Sequence, residues 1–182
     1  MIIQRIKQFW RAANASLNAD DTAFVKANLN EVQQRLFFRM NVFDQRHVLN
    51  TAYTALKIRR TEHLPLNEEL LIRACLLHDI ARTKADICIW DKVANVLLAH
   101  FAPRQAKAIA RAAASLKSRR RNFSERRRYA VYVYYHHAQL GAAKLRSLGM
   151  DDIAAIIEHH HDAEKPGDSP ELCVLRRADS LN

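Results

Sequence analysis

The pair His78-Asp79 closes the largely apolar run Leu70-Leu71-Ile72-Arg73-Ala74-Cys75-Leu76-Leu77, which sets two metal-ligating side chains where a helix ordinarily buries hydrocarbon. A buried carboxylate with neither an ion-pair partner nor a bound cation costs on the order of several kcal/mol, so a metal ion is the natural reason for Asp79 to be ionised there. Further ligand types lie along the chain: His47 upstream, His136-His137 and His159-His160-His161 downstream, and Asp179 beyond them. Imidazole and carboxylate together suit iron, manganese, cobalt, zinc or magnesium, and no thiolate is placed to favour a softer metal. An ion held by His47, His78, Asp79 and Asp179 has four protein ligands and keeps coordination room for water or substrate. The remaining histidines are then surplus to one metal.

In this ordered pattern of His, then His-Asp, then a distant Asp, the chain resembles the HD-domain metal-dependent phosphohydrolases over most of its length. The stretch His137-Ala138-Gln139-Leu140-Gly141 is similar to the His-Pro-Glu-Ile-Gly element of that superfamily's two-metal subgroup, with Ala138 in place of the usual proline. Ile156-Ile157-Glu158-His159-His160-His161-Asp162 is similar to its paired-histidine element, which puts the pair at His160 and His161. Residues 21–52 and 129–141 also look like small bacterial HD-domain proteins of unassigned substrate. The resemblance implies one metal on His47, His78 and Asp179, a second on His137, His160 and His161, and Asp79 bridging both. It implies two divalent ions per chain, iron or manganese ahead of magnesium, cobalt or zinc. Where many members have His-Asp-Ile-Gly-Lys, this chain has His78-Asp79-Ile80-Ala81-Arg82, so a forked, bidentate guanidinium replaces the lysine that faces substrate phosphate. The Gly-Tyr-Pro element of cyclic-di-GMP hydrolases is not spelled by Ala163-Glu164-Lys165-Pro166-Gly167-Asp168, which turns the reading away from that substrate.

Such a pair of ions, ~3.5–4 Å apart, would hold a bridging hydroxide for in-line attack on phosphorus. Asp79 and Asp179 offset about two of roughly four positive charges, leaving a cationic cluster that attracts phosphate. The expected activity is hydrolysis of a phosphomonoester or phosphodiester in a nucleotide-like small molecule, with Asp79 and Arg82 as the catalytic residues and Lys84 extending the positive field. Two alternatives use the same residues differently: a basic regulatory module with structural metals that binds RNA or another polyanion, and a di-iron oxygenase of the HD superfamily. His136 and His159 adjoin the proposed ligands without joining them, and His63 and His100 are read as surface residues.

These ligands have to be positioned by helices. The apolar spacing predicts helices over residues 1–13, from Asp20-Asp21 to Asn28, over 31–40, and from a capping Asp44 to Ile58 with His47 in the first turn. Asn67 followed by Glu68 and Glu69 is a helix-start pattern for the His78-Asp79 helix. Helices follow over 90–101, 104–116 and 125–148, the last ending at Gly149, then over 153–161 and from Glu171 onward, where Leu172, Leu175 and Ala178 leave Asp179 adjoining the buried side. Residues 129–135 favour strand in isolation, but without partner strands they are assigned to helix.

Of 182 residues nearly half are apolar, enough for one domain with a full core: N-terminal helices over 1–40 packed on an HD-type metal-binding domain over 41–182. The only glycines are Gly141, Gly149 and Gly167, a composition that suits an all-α bundle and deprives hairpins of their turn residue. Cys75, Cys88 and Cys173 are odd in number and widely spaced, so buried unpaired thiols are expected instead of disulfides. The start of the chain lacks an h-region and no stretch approaches a membrane span, so a cytoplasmic protein with no membrane partner is expected. The net charge of +10 is concentrated at Arg119-Arg120-Arg121 and Arg126-Arg127-Arg128. Without interleaved aromatics these read as a solvated face, and the expected partner is a phosphorylated small molecule ahead of nucleic acid. Oligomeric state is not legible.

Overall fold

A computed structural model describes residues 16–116 and 121–182, and the helix expected over 1–13 lies outside them, as do Arg119 and Arg120. Several helix starts among the described residues are set by side-chain caps. Asn18 and Asp21 bond each other's backbone amides to open α1 (Ala19–Asn28), and Asn30 and Gln33 do the same for α2 (Glu31–Arg39). Asn67 accepts from the Leu70 amide to start α4 (Glu68–Leu77), and Ser169 caps α9 (Pro170–Ser180), whose Pro170 fits the first turn. Between them run α3 (Val42–Glu62), α5 (Ile89–Phe101), α6 (Pro103–Ala113) with a 3₁₀ turn at Ala114–Leu116, α7 (Phe123–Arg146) and α8 (Asp151–Glu158). The architecture is all-α. Its one β feature among the described residues is an isolated bridge between Met40 and Thr83.

Residues 129–135 are helical inside α7, where Tyr129, Ala130, Val131, Tyr132 and Val133 are buried by neighbouring helices. Three expectations need correction. Asn41, not Asp44, flanks α3, and Asp44 is a fully buried member of its first turn, which moves His47 into the second turn. Helix α8 stops at Glu158, so His159, His160 and His161 occupy the turn beyond it. Cys75 is buried, but Cys88 at the start of α5 and Cys173 on the outer side of α9 are only half-buried; all three thiols are free.

Helix α4 is the centre of the packing, in contact with α1, α2, α3, α8 and α9. The main core gathers apolar residues of these helices around Leu71, Leu76, Leu77, Ile153, Ile157 and Leu175. A second, smaller core joins Ile87, Ala113, Tyr129, Ala130, Tyr132 and Val133, where α5 and α6 lie against the first half of α7. At 24 residues α7 belongs to both: Tyr129 to Val133 serve the small core, Ala142 and Leu145 the large one. His137 stands between them. No helix among the described residues is long and apolar enough to cross a membrane.

Candidate metal centre

Five segments deliver side chains to one place, buried at His78, Asp79, His137 and His160, half-buried at His47 and Asp179 and exposed at His161. His47 comes from α3, His78 and Asp79 from the turn that ends α4, His137 from α7, His160 and His161 from the turn after α8, and Asp179 from the last turn of α9. Three of these helices present their C-terminal ends, whose carbonyl dipoles carry partial negative charge and favour a cation.

His78, Asp79, His137 and His160 are almost wholly enclosed. His78 Nδ1 lies 2.9 Å from the Cys75 carbonyl, His137 Nδ1 3.1 Å from the Tyr134 carbonyl and His160 Nδ1 2.6 Å from the Ile157 carbonyl. A carbonyl only accepts, so each Nδ1 carries a proton and each Nε2 is the ring atom turned inward, the orientation a metal-ligating histidine takes.

Those inward atoms form two triads. His47 Nε2 is 2.8 Å and His78 Nε2 3.6 Å from Asp179 Oδ1, while His137 Nε2 and His161 Nε2 are 2.8 Å apart with His160 alongside. Asp79 lies between, its Oδ2 4.0 Å from His47 Nε2 and 3.8 Å from His78 Nε2, its Oδ1 3.3 Å from His137 Nε2. All seven residues suggested by the sequence are thereby brought together. A divalent cation fits this donor set on an independent ground. His78 Nε2, Asp79 Oδ1 and His160 Nε2 are buried without any hydrogen-bond partner, a cost that a protein ordinarily relieves by giving such atoms a ligand.

The electrostatics differ across the site. Burial works against a charged His78, but Asp79 and Asp179 outweigh it and raise its pKa to about 9. Burial likewise disfavours the Asp179 carboxylate, yet His47 at 2.8 Å and the nearby His78 hold its pKa far below the usual range. Asp79 is held well below it by Arg82, His78, His137 and His47 against the same penalty. On the other side, burial and the nearby His78 and His161 push His160 down to about 3, and burial with the Arg82 charge pushes His137 well down. His161 is lowered by burial too. These three are therefore neutral imidazoles, the protonation state that ligates metals.

Arg82 is not turned freely outward. Its Nη1 is 2.7 Å from Asp79 Oδ2, its Nη2 3.1 Å from His137 Nε2, and Asp44 Oδ1 is 3.9 Å away. It borders a cavity of about 170 Å³ lined by Asp44, Ile87, Lys92, Asn95, Val96 and Tyr134. Lys84 is exposed. His136 stacks near Tyr132, His159 pairs with Asp162 at 2.9 Å, and His63 and His100 are exposed. Asp44 and Lys92, 3.0 Å apart, are the neighbours that sequence reasoning missed. Asp44 carries the signature of a helix-start residue, and nothing in its local sequence announces burial beside Arg82.

The family model described as the HD domain matches residues 45–182, a span that contains all seven residues of the site. No curated protein and no solved structure matches the chain.

Proposed function

The chain belongs to the HD-domain family, whose members bind divalent metals and are typically metal-dependent hydrolases, and from that premise we propose a two-metal phosphohydrolase. Its substrate on this reading is a phosphomonoester or phosphodiester of a nucleotide-like small molecule. The observation that carries the reading is the placement of Asp79, with one oxygen towards His47 and His78 and the other towards His137.

His47, His78 and Asp179 would hold one cation, His137, His160 and His161 the other, with Asp79 shared. When bound, such ions supply Lewis acidity and make water a competent nucleophile near neutral pH. The chain's own residues do the rest. The Cys75, Tyr134 and Ile157 carbonyls lock three imidazoles in ligand orientation, so no reorganisation is needed as charge develops. Arg82, whose guanidinium reaches the centre, adds a fixed positive charge and forked N–H donors suited to phosphate oxygens. The apolar core packed behind His78, Asp79 and His160 limits water on that side of the centre, which strengthens the interactions made there.

Protein loaded with manganese or iron is expected to hydrolyse at least one member of a broad phosphoester panel, and His160→Ala is expected to abolish that turnover. Elemental analysis of protein purified without added metal or chelator should find two ions per chain. One ion would remove His137, His160 and His161 from the assignment, and no turnover across the panel with both metals would overturn the phosphohydrolase reading.

A further inference from the structure

An imidazole nitrogen has one lone pair. The His137 Nδ1 proton is committed to the Tyr134 carbonyl, so the only lone pair is on Nε2, where Arg82 Nη2 points an N–H from 3.1 Å beside His161 Nε2, a proposed ligand of the same ion, at 2.8 Å. The other arm of the same guanidinium donates to Asp79 Oδ2 at 2.7 Å. A nitrogen accepting that N–H cannot ligate a cation at the same time. Arg82 and an ion on His137, His160 and His161 therefore exclude each other at His137, and a guanidinium arm that leaves His137 needs another acceptor, because the side chain is only 17% exposed.

One is at hand. Asp44 is completely buried, its Oδ1 lies 3.0 Å from Lys92 Nζ and 3.9 Å from Arg82 Nη1, and its Oδ2 has no hydrogen-bond partner. Both residues border the cavity of about 170 Å³, which gives the guanidinium room to turn.

We propose that Arg82 is an internal competitor for the second cation, and that Asp44 is a positioning residue that receives its guanidinium when that cation binds. The proposal rests on the two-metal reading. It makes loading ordered: His47, His78 and Asp179 fill first, and His137, His160 and His161 fill only as Arg82 changes partner. Seated on Asp44, the guanidinium is paired through a carboxylate with spare acceptor capacity and stands beside Lys92, so that two cations flank the cavity next to the metal centre.

The test is calorimetric titration of the full chain with Mn²⁺, a readout independent of turnover. Wild-type protein is expected to bind two ions with unequal affinity. Arg82→Lys keeps the charge but loses the fork, so it can hold Asp79 without also holding His137; the second affinity should tighten about tenfold and the first stay unchanged, as expected when a competing conformation is removed. Asp44→Asn should weaken the second affinity about tenfold with the first preserved. Should that variant fail to fold, as judged by its thermal transition, Arg82→Lys alone decides. An unchanged second affinity in Arg82→Lys overturns the proposal and leaves the two-metal reading standing. Only one ion bound in both wild type and Arg82→Lys, or none, removes the two-metal reading and this inference with it.

Discussion

His78 carries the pH behaviour of the metal-free centre. Its pKa is raised from 6.5 to about 9 in the fold, so the stability it contributes is fully present below about pH 6.5 and is lost as pH rises through 9. His160 has the opposite sign: with a folded pKa of about 3, the native state takes up fewer protons than the unfolded chain as pH falls below 6.5, and stability declines there. Thermal unfolding in the presence of a chelator should therefore show a maximum near pH 6.5 with a falling limb on each side. Saturating Mn²⁺ should abolish the alkaline limb, because a cation then takes the place of the proton between His78, Asp79 and Asp179. A flat chelated profile from pH 6.5 to 9 would show that His78 carries no such proton.

Helix ends determine where these side chains meet. Asn67 caps α4 and its own amide donates to Glu171 Oε1 at 2.8 Å, tying the start of the His78 helix to the start of the Asp179 helix. Asn67→Ala should cost about 1 kcal/mol, the usual worth of such a cap, read as a lowered denaturation midpoint at unchanged slope. Gly141 sets the approach of α7 to the end of α4. A Cβ there would lie 3.3 Å from Ile157 Cδ1, 3.4 Å from Ile80 Cγ1 and 3.9 Å from the His78 carbonyl oxygen. Gly141→Val should cost about 1–3 kcal/mol through overpacking, and on the proposed two-metal reading, by moving His137 relative to His78, it should reduce the ions bound per chain from two to one. Full loading at wild-type stability would contradict that account of the glycine.

Across the whole molecule, charge is segregated. Residues 92–128 hold eleven Lys and Arg against the single acid Glu125, which equals the chain's entire net charge of +10 and leaves the rest balanced. Some of this charge is internally engaged: Arg121 pairs with Asp86 and Arg127 with Asp91. Arg126 and Arg128 are exposed. Retention on heparin should fall steeply with salt and be weakened by Arg126→Ala with Arg128→Ala, whereas His160→Ala should leave it untouched; turnover should respond in the reverse way. A loss of retention in His160→Ala would mean that the polyanion engages the metal centre. Most helices among the described residues were legible in the chain itself, because apolar spacing and caps such as Asn67 are short-range patterns that need only neighbouring residues to be read; His47, His78, Asp79 and Asp179 stood out by residue type and spacing, and His137, His160 and His161 by their resemblance to the HD-domain pattern. Burial of Asp44 against Arg82, the early end of α8 that turns His160 inward, and the division of Asp79 between two triads arise from contacts between residues tens of positions apart. Side-chain direction at such contacts is set by packing from several helices at once, and that only the tertiary structure decides.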